Sequence, residues 1–179
     1  MTNTKRPYTG FDKIGTETHP AAKKLSELLT KRFGVTYMGG LVVRVMRSAP
    51  AAIQKLDVTN PANAAKVKPY MSVHASGRGV DTGSQDPKVL EAVFNFLVDN
   101  ADELFIEEAH QYNYKAKGAT KAWGRGFRCS RSGGKDRGIK EWNAQDNGGT
   151  PGGLWIHYEV SAQADAATLE KNFRAIPKS

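Results

Sequence analysis

Seven residues near the C-terminus, Leu154 to Val160, limit the fold more than any other stretch. Extended as a strand, they put Trp155, His157 and Glu159 on one face and Leu154, Ile156, Tyr158 and Val160 on the other. The second face is the kind that a hydrophobic core covers, which leaves His157 turned toward a cleft. Such one-sided strands belong to antiparallel sheets with a layer packed on a single face. Helices to supply that layer are legible. Leu25, Leu28, Leu29 and Phe33 recur at helical spacing between Pro20 and Phe33, and Gly34 follows as a stop. Asp86 and Pro87 read as the N-cap and first-turn proline of a second helix, with Leu90, Val93, Phe94 and Leu97 as its apolar stripe and its end near Asn100. Asp165 reads as the N-cap of a short closing helix that runs to Phe173.

Two further strands are expected. Gly39-Gly40 leads into Leu41 to Met46, a β-branched run of buried-strand type, and Leu104-Phe105-Ile106 opens another. Ala49 to Tyr70 is irregular, because Pro50, Pro61 and Pro69 limit any helix. Lys115 to Gly153 is rich in Gly, Lys and Arg, with Trp123, Phe127 and Trp142 scattered through it. A loop of that length inside a domain is expected to be a lid or binding loop. The expectation is an α+β fold: a small antiparallel sheet, helices packed on one side, and a long Gly-rich loop over the site. Residues 1–19 read as a polar arm and 20–179 as a single domain; no repeat is visible.

Composition narrows the chemistry. At 179 residues and 39% hydrophobic content, the chain fits one core. No stretch approaches the roughly 20 apolar residues of a membrane-spanning helix. Met1 to Gly15 is polar, so the sequence marks no secretory route of its own. Cys129 is the one cysteine, which excludes an intramolecular disulfide and a cysteine-based zinc knuckle. Any bound metal therefore rests on His, Asp or Glu. The formal charge of +8 and pI of 9.6 favour a polyanionic partner. Nucleic acid, teichoic-acid-bearing cell wall and acidic lipid surfaces all qualify, and a basic surface kept for solubility is the bland alternative.

The sharpest local feature is Ser72-Val73-His74-Ala75-Ser76-Gly77-Arg78-Gly79-Val80-Asp81. Its glycines let the backbone turn tightly, which can bring an imidazole and a carboxylate to one point, as zinc requires. On spacing alone, a His-Asp pair is more often a structural hydrogen bond. His157 is open to two readings as well: a third ligand that leaves a fourth position for water, or a half-buried histidine bonded across the sheet.

Ser72-Val73-His74-x-x-Gly77-Arg78-Gly79-Val80-Asp81, followed far downstream by Trp155-Ile156-His157, resembles the signature of the D-alanyl-D-alanine metallopeptidases. That superfamily includes phage L-alanyl-D-glutamate endolysins and the hedgehog signalling domain. Its usual pattern is Ser-x-His-x-x-Gly-x-Ala-x-Asp, and Gly79 stands here in place of the alanine. The resemblance covers roughly Leu25 to Val160 and implies one Zn2+ per chain, held by His74, Asp81 and His157. It also implies a carboxylate beside the metal, commonly three residues before the last histidine, where this chain has Leu154. The hedgehog-like branch takes its glutamate from the end of the preceding strand. That placement points to Glu108, which strand alternation sets on one face with His110, or else to Glu107. An arginine from an upstream strand often stabilises the oxyanion, which makes Arg44 the candidate and Arg47 the fallback. Ser72 and Arg78 from the motif, with Trp123 and Arg128 from the loop, are the candidate substrate contacts. The basic and aromatic run Trp123 to Arg128 also describes a single-stranded nucleic-acid surface.

The resemblance implies a zinc metallopeptidase of the endolysin-like or virion-associated kind. It would hydrolyse an amide bond in the peptidoglycan stem peptide or cross-link, as a carboxypeptidase or an endopeptidase. Its partner would be peptidoglycan, with other virion or lysis proteins beside it, no obligatory nucleic acid and no membrane insertion. It would reside in the host cytoplasm before release, or in a virion, and act on the bacterial wall. Two alternatives stay open: a non-catalytic zinc-binding module of the hedgehog-like type, and a basic nucleic-acid-binding protein.

Overall fold

The computed structural model describes residues 6–131, 138–146 and 151–177. In chain order its elements are α1 (Pro20–Phe33), β1 (Thr36–Gly39), α2 (Ala51–Gln54), α3 (Ala64–Val67), β2 (Gly79–Gly83), α4 (Pro87–Asp99), β3 (Ile106–Gln111), β4 (Arg125–Arg128), β5 (Ile139–Glu141), β6 (Trp155–Val160) and α5 (Ala166–Ala175). The strands form one antiparallel sheet in the order β1-β2-β6-β3-β4-β5. The fold is α+β, as expected.

Local chemistry sets the helix ends. The Asp86 carboxylate accepts the Lys88 N–H at 2.8 Å and starts α4. Asp165 does the same for α5, accepting from Thr168 N–H at 2.7 Å. α1 begins at Pro20 and ends on Gly34, whose N–H returns to the Thr30 carbonyl at 2.9 Å. The helices cover one face of the sheet. Leu25, Leu29, Leu90, Val93, Phe94, Leu97 and Leu169 meet Val80, Ala109, Phe127, Ile156, Tyr158 and Val160 in one buried core. Burying each such large side chain contributes about 1.5–3 kcal/mol. Arg32 joins the three long helices, its guanidinium 4.5 Å from the Phe96 ring centroid and 5.4 Å from that of Phe173. The alternation expected in β6 holds: Ile156, Tyr158 and Val160 are fully buried in the core, and His157 and Glu159 face the other way.

Three sequence expectations are corrected. Leu41 to Met46 is not a strand; it makes a single bridge, Val45 to Met71, and leaves Val42 and Met46 exposed. Val45 instead joins Ala49, Val67, Met71 and Ala75 in a second, smaller cluster. The sheet edge is formed by Thr36–Gly39, four residues without apolar alternation. The stretch Lys115 to Gly153 is not structureless, since β4 and β5 lie within it; its segments 132–137 and 147–150 lie outside the described residues. Finally, β3 starts at Ile106 rather than Leu104, because Phe105 turns through the left-handed region at φ 56°.

The described part of the N-terminal arm lies against the sheet. Arg6 binds the Asp102 carboxylate and the Ile106 carbonyl, and Thr9 binds Glu107. Farther on, Gly15 N–H donates to the Ala75 carbonyl at 2.8 Å and His19 N–H to the Gly77 carbonyl at 2.9 Å. Among the described residues no helix is long and apolar enough to cross a membrane.

Candidate metal centre

Three adjacent strands mount the site. In register, Asp81 of β2 lies opposite His157 of β6, which lies opposite His110 of β3. All three side chains therefore rise from one row on the face away from the helices. His74 joins them from the tight turn Val73–Ser76, where its N–H donates to Ser72 Oγ at 3.3 Å. Gly79 makes the approach possible. A Cβ there would stand 3.0 Å from His74 N and 3.1 Å from His157 Cε1, closer than side chains ordinarily sit.

The two imidazoles are oriented by partners on their far nitrogens. His74 Nδ1 lies 2.6 Å from the Gly40 carbonyl, which can only accept, so that nitrogen carries the proton. His74 Nε2, the nitrogen turned to the cleft, lies 3.5 Å from Asp81 Oδ2. His157 Nε2 lies 3.1 Å from Glu159 Oε1, and its Nδ1 lies 3.0 Å from Asp81 Oδ1. The ligand atoms of His74, Asp81 and His157 all lie within 4.8 Å of one another, a triad with the geometry to hold a metal ion. Two imidazoles and one carboxylate, with a carbonyl and a carboxylate behind the imidazoles, form a donor set of the kind zinc takes.

The neighbouring carboxylates set the protonation of the triad. Burial pushes His157 down, but hydrogen bonds to Asp81 and Glu159 and the charges of both carboxylates overcome it and raise the imidazole to about 10. Burial pushes Asp81 up, while hydrogen bonds from His157 and His74 bring it well below the usual carboxylate range.

A second group stands beside the triad. Glu108 Oε1 accepts from Arg128 Nε at 2.7 Å and lies 3.3 Å from His110 Nε2. Burial pushes the Glu108 carboxyl up, but His110, Arg128 and His157 outweigh it and hold the group well below its ordinary 4.5. The His110 ring centroid is 5.4 Å from that of His157. Trp142 packs edge-on against His110, their centroids 4.8 Å apart, and rests on Gly124 and Gly126. A Cβ at Gly126 would stand 2.7 Å from the Trp142 ring, so the glycines of this stretch seat an aromatic wall. Tyr112 and Trp155 extend that wall, their centroids 4.9 Å apart.

The triad and the Glu108–His110 pair open into one cleft of about 1260 Å³, lined also by Met38, Arg44, Arg47, Lys68, Arg131 and Trp142. Of the candidate site residues, His74, Asp81, His157, Glu108, His110, Arg44, Ser72 and Arg128 reach the cleft. Arg44 does so from an irregular segment rather than a strand, with Nη1 donating to the Val45 carbonyl at 3.3 Å. Glu107, Arg78 and Trp123 are not among its lining residues. Glu107 sits in the irregularity between Ile106 and Glu108, turned to Thr9 and Arg78. Arg78 is 1% exposed and donates to the Val160 carbonyl at 2.7 Å, so it braces the strands. Trp123 takes the Lys121 ammonium over its ring at 5.7 Å. Sequence reasoning gave no site role to Glu159, Tyr112 or Tyr8, and took Trp142 only as one of the aromatics of the loop expected over the site. The alternation of β6 placed Glu159 beside His157 and was the one available signal.

These shifts set opposite acid and base limits on the metal-free protein. Asp81 and Glu108 are depressed, so their contribution is fully present above about 4.5 and is lost as pH falls through their folded values. His157 is raised, so its contribution is complete below 6.5 and is lost as pH rises toward about 10. Resistance to urea is expected to peak between these limits. A urea midpoint that kept climbing from pH 7 to 9 in chelator-treated protein would contradict the arrangement.

Comparison with protein-family models, curated proteins and solved structures finds no match to the chain.

Proposed function

We propose that the chain is a zinc-dependent peptidase that hydrolyses an amide bond in the peptidoglycan stem peptide or cross-link. The observation that carries this reading is the triad. Each histidine has its far nitrogen occupied, by Gly40 or Glu159, and turns the other toward Asp81 at the floor of an open cleft. The resemblance of the two motif segments to the D-alanyl-D-alanine metallopeptidases points to zinc and to this substrate class. Bound there, zinc supplies a Lewis acid and brings the pKa of water close to 7.

The remaining chemistry belongs to the chain's own side chains. Leu154 cannot move a proton, so a carboxylate must come from elsewhere on the cleft face. Asp81 serves the metal, Glu159 holds His157 and Asp146 is paired with Lys140, which leaves Glu108. Arg128 pins Glu108, and Glu108 in turn faces His110 Nε2. We read the two as a carboxylate–imidazole pair: His110 takes and returns the proton, and Glu108 orients it and stabilises its charged form. Arg44, Arg47 and Lys68 along the cleft suit the carboxylates of a stem peptide, and the net charge of +8 suits an anionic wall. The aromatic wall of Tyr112, Trp142 and Trp155 supplies apolar contact for the backbone of the peptide.

One observation favours a second reading. The Arg128–Glu108 ion pair and the leucine at 154 are also what a zinc module without hydrolysis would show. Purified protein should contain one zinc per chain and should clear a suspension of bacterial walls, with chelator abolishing clearance and zinc restoring it. Mass spectrometry of the released peptides then identifies the bond. Zinc without clearance on any wall type leaves the non-catalytic module. Absence of zinc with tight, salt-sensitive nucleic-acid binding moves the assignment to the third class.

A further inference from the structure

Three buried carboxylates, Glu107, Glu108 and Glu159, gather at one end of the sheet, at 2%, 4% and 5% exposure. The N-terminal segment runs across that end and supplies donors to them. Thr9 Oγ1 donates to Glu107 Oε1 at 2.7 Å, and the Thr9 N–H reaches Oε2 at 3.2 Å. Tyr8 O–H donates to Glu159 Oε2 at 2.6 Å and lies 3.4 Å from Glu108 Oε2. The Tyr8 ring is covered by the Arg128 guanidinium, whose carbon is 4.3 Å from the ring centroid. Glu159 thus takes Tyr8 on one oxygen and His157 Nε2 on the other.

We propose that Tyr8 is a positioning residue of the metal centre, brought in by the N-terminal segment to hold Glu159 against His157. The inference rests on the metal-binding reading of the triad. A glutamate bonded through one oxygen alone keeps torsional freedom about its last bond. Tyr8 removes that freedom and presents Oε1 to His157 Nε2. The proton on Nε2 then stays in place, and Nδ1 stays turned toward Asp81. The phenol is itself fixed from both sides along the chain. Arg6 is tied to Asp102 and to the Ala101 and Ile106 carbonyls, and Thr9 is tied to Glu107. Tyr8 therefore does not depend on Glu159 for its place, and the order it imposes passes from arm to carboxylate to imidazole.

Two variants in the same segment separate positioning from general support. Tyr8→Phe keeps the ring beneath Arg128 and removes the hydroxyl that donates to Glu159 at 2.6 Å and lies farther, at 3.4 Å, from Glu108. Thr9→Val removes the hydroxyl donor to Glu107 but keeps the Thr9 N–H bond to the same carboxylate, so the segment beside Tyr8 stays tied. Zinc affinity is measured by competition with a chromophoric chelator at fixed pH, and melting of the metal-free proteins is followed by circular dichroism. Tyr8→Phe is expected to weaken zinc binding about 10- to 100-fold. Thr9→Val is expected to lower the metal-free melting temperature and leave zinc affinity as in the wild type. Wild-type affinity in Tyr8→Phe overturns the inference, and so does an equal loss in both variants, since the segment would then act through stability alone. A wild-type protein that binds no zinc removes the metal reading itself, a result distinct from either.

Discussion

Asp81→Ala is expected to take up no zinc at micromolar metal and to leave bacterial walls intact, while keeping its fold. Asp81 is the one anionic member of the triad and stands between the two imidazoles, 3.0 Å from one and 3.5 Å from the other. Without it two imidazoles remain, one short of the three protein ligands that catalytic zinc sites use. The strand should persist, because the pairing of β2 with β6 is made by backbone groups and the Asp81 side chain is about a third exposed at the cleft floor. Metal analysis and circular dichroism check both halves. His157→Ala is the companion variant, and full zinc occupancy in the two would remove the assignment.

Glu108→Gln should slow wall hydrolysis about 10²- to 10⁴-fold and leave zinc content at one per chain. The amide keeps the size of the side chain and one acceptor oxygen, but it loses the charge that faces His110 and Arg128. The imidazole at 110 then has no carboxylate behind it to favour its protonated form. Glu107→Gln is the contrast. It lies off the cleft and bonds to Thr9 and Arg78, so it should lower stability and leave the rate per folded molecule nearly unchanged. Rates from wall turbidity, normalised to zinc content, settle the comparison. If Glu107→Gln is the slow variant, the role of the two neighbours is reversed; if both retain full rate, neither carboxylate supports His110 in the reaction.

What was legible in the sequence follows from where the information lies. α1, α4 and α5 carry their own caps and stripes, so Pro20, Asp86, Pro87 and Asp165 mark their starts correctly. The faces of β6 were legible because burial on one side forces alternation. β1 was missed because an edge strand with exposed Tyr37 and Met38 needs no apolar period. The neighbouring run Leu41 to Met46 drew the assignment instead, its β-branched residues serving a separate small cluster around Val45 and Met71. β4 was hidden by its glycines, and β5, three residues long, by its shortness. Gly124 and Gly126 read locally as loop, yet they are needed to seat Trp142, a residue many positions away. The triad was legible through its motif segments. The contacts of Tyr8 with Glu159 were not, since nothing local in a polar N-terminal segment shows which buried carboxylate it will meet.

The row of Asp81, His157 and His110 has a kinetic corollary. Each is anchored on a strand with a hydrogen-bonded neighbour on both sides, β2 between β1 and β6, β6 between β2 and β3, and β3 between β6 and β4. Their backbone amides are therefore placed among those that trade hydrogen for deuterium only when the whole sheet opens. The cleft walls, built from irregular segments such as 41–50, can breathe far more often. Under the proposed function, substrate entry and exit would be uncoupled in time from opening of the row of Asp81, His157 and His110, which should survive many openings of the cleft walls.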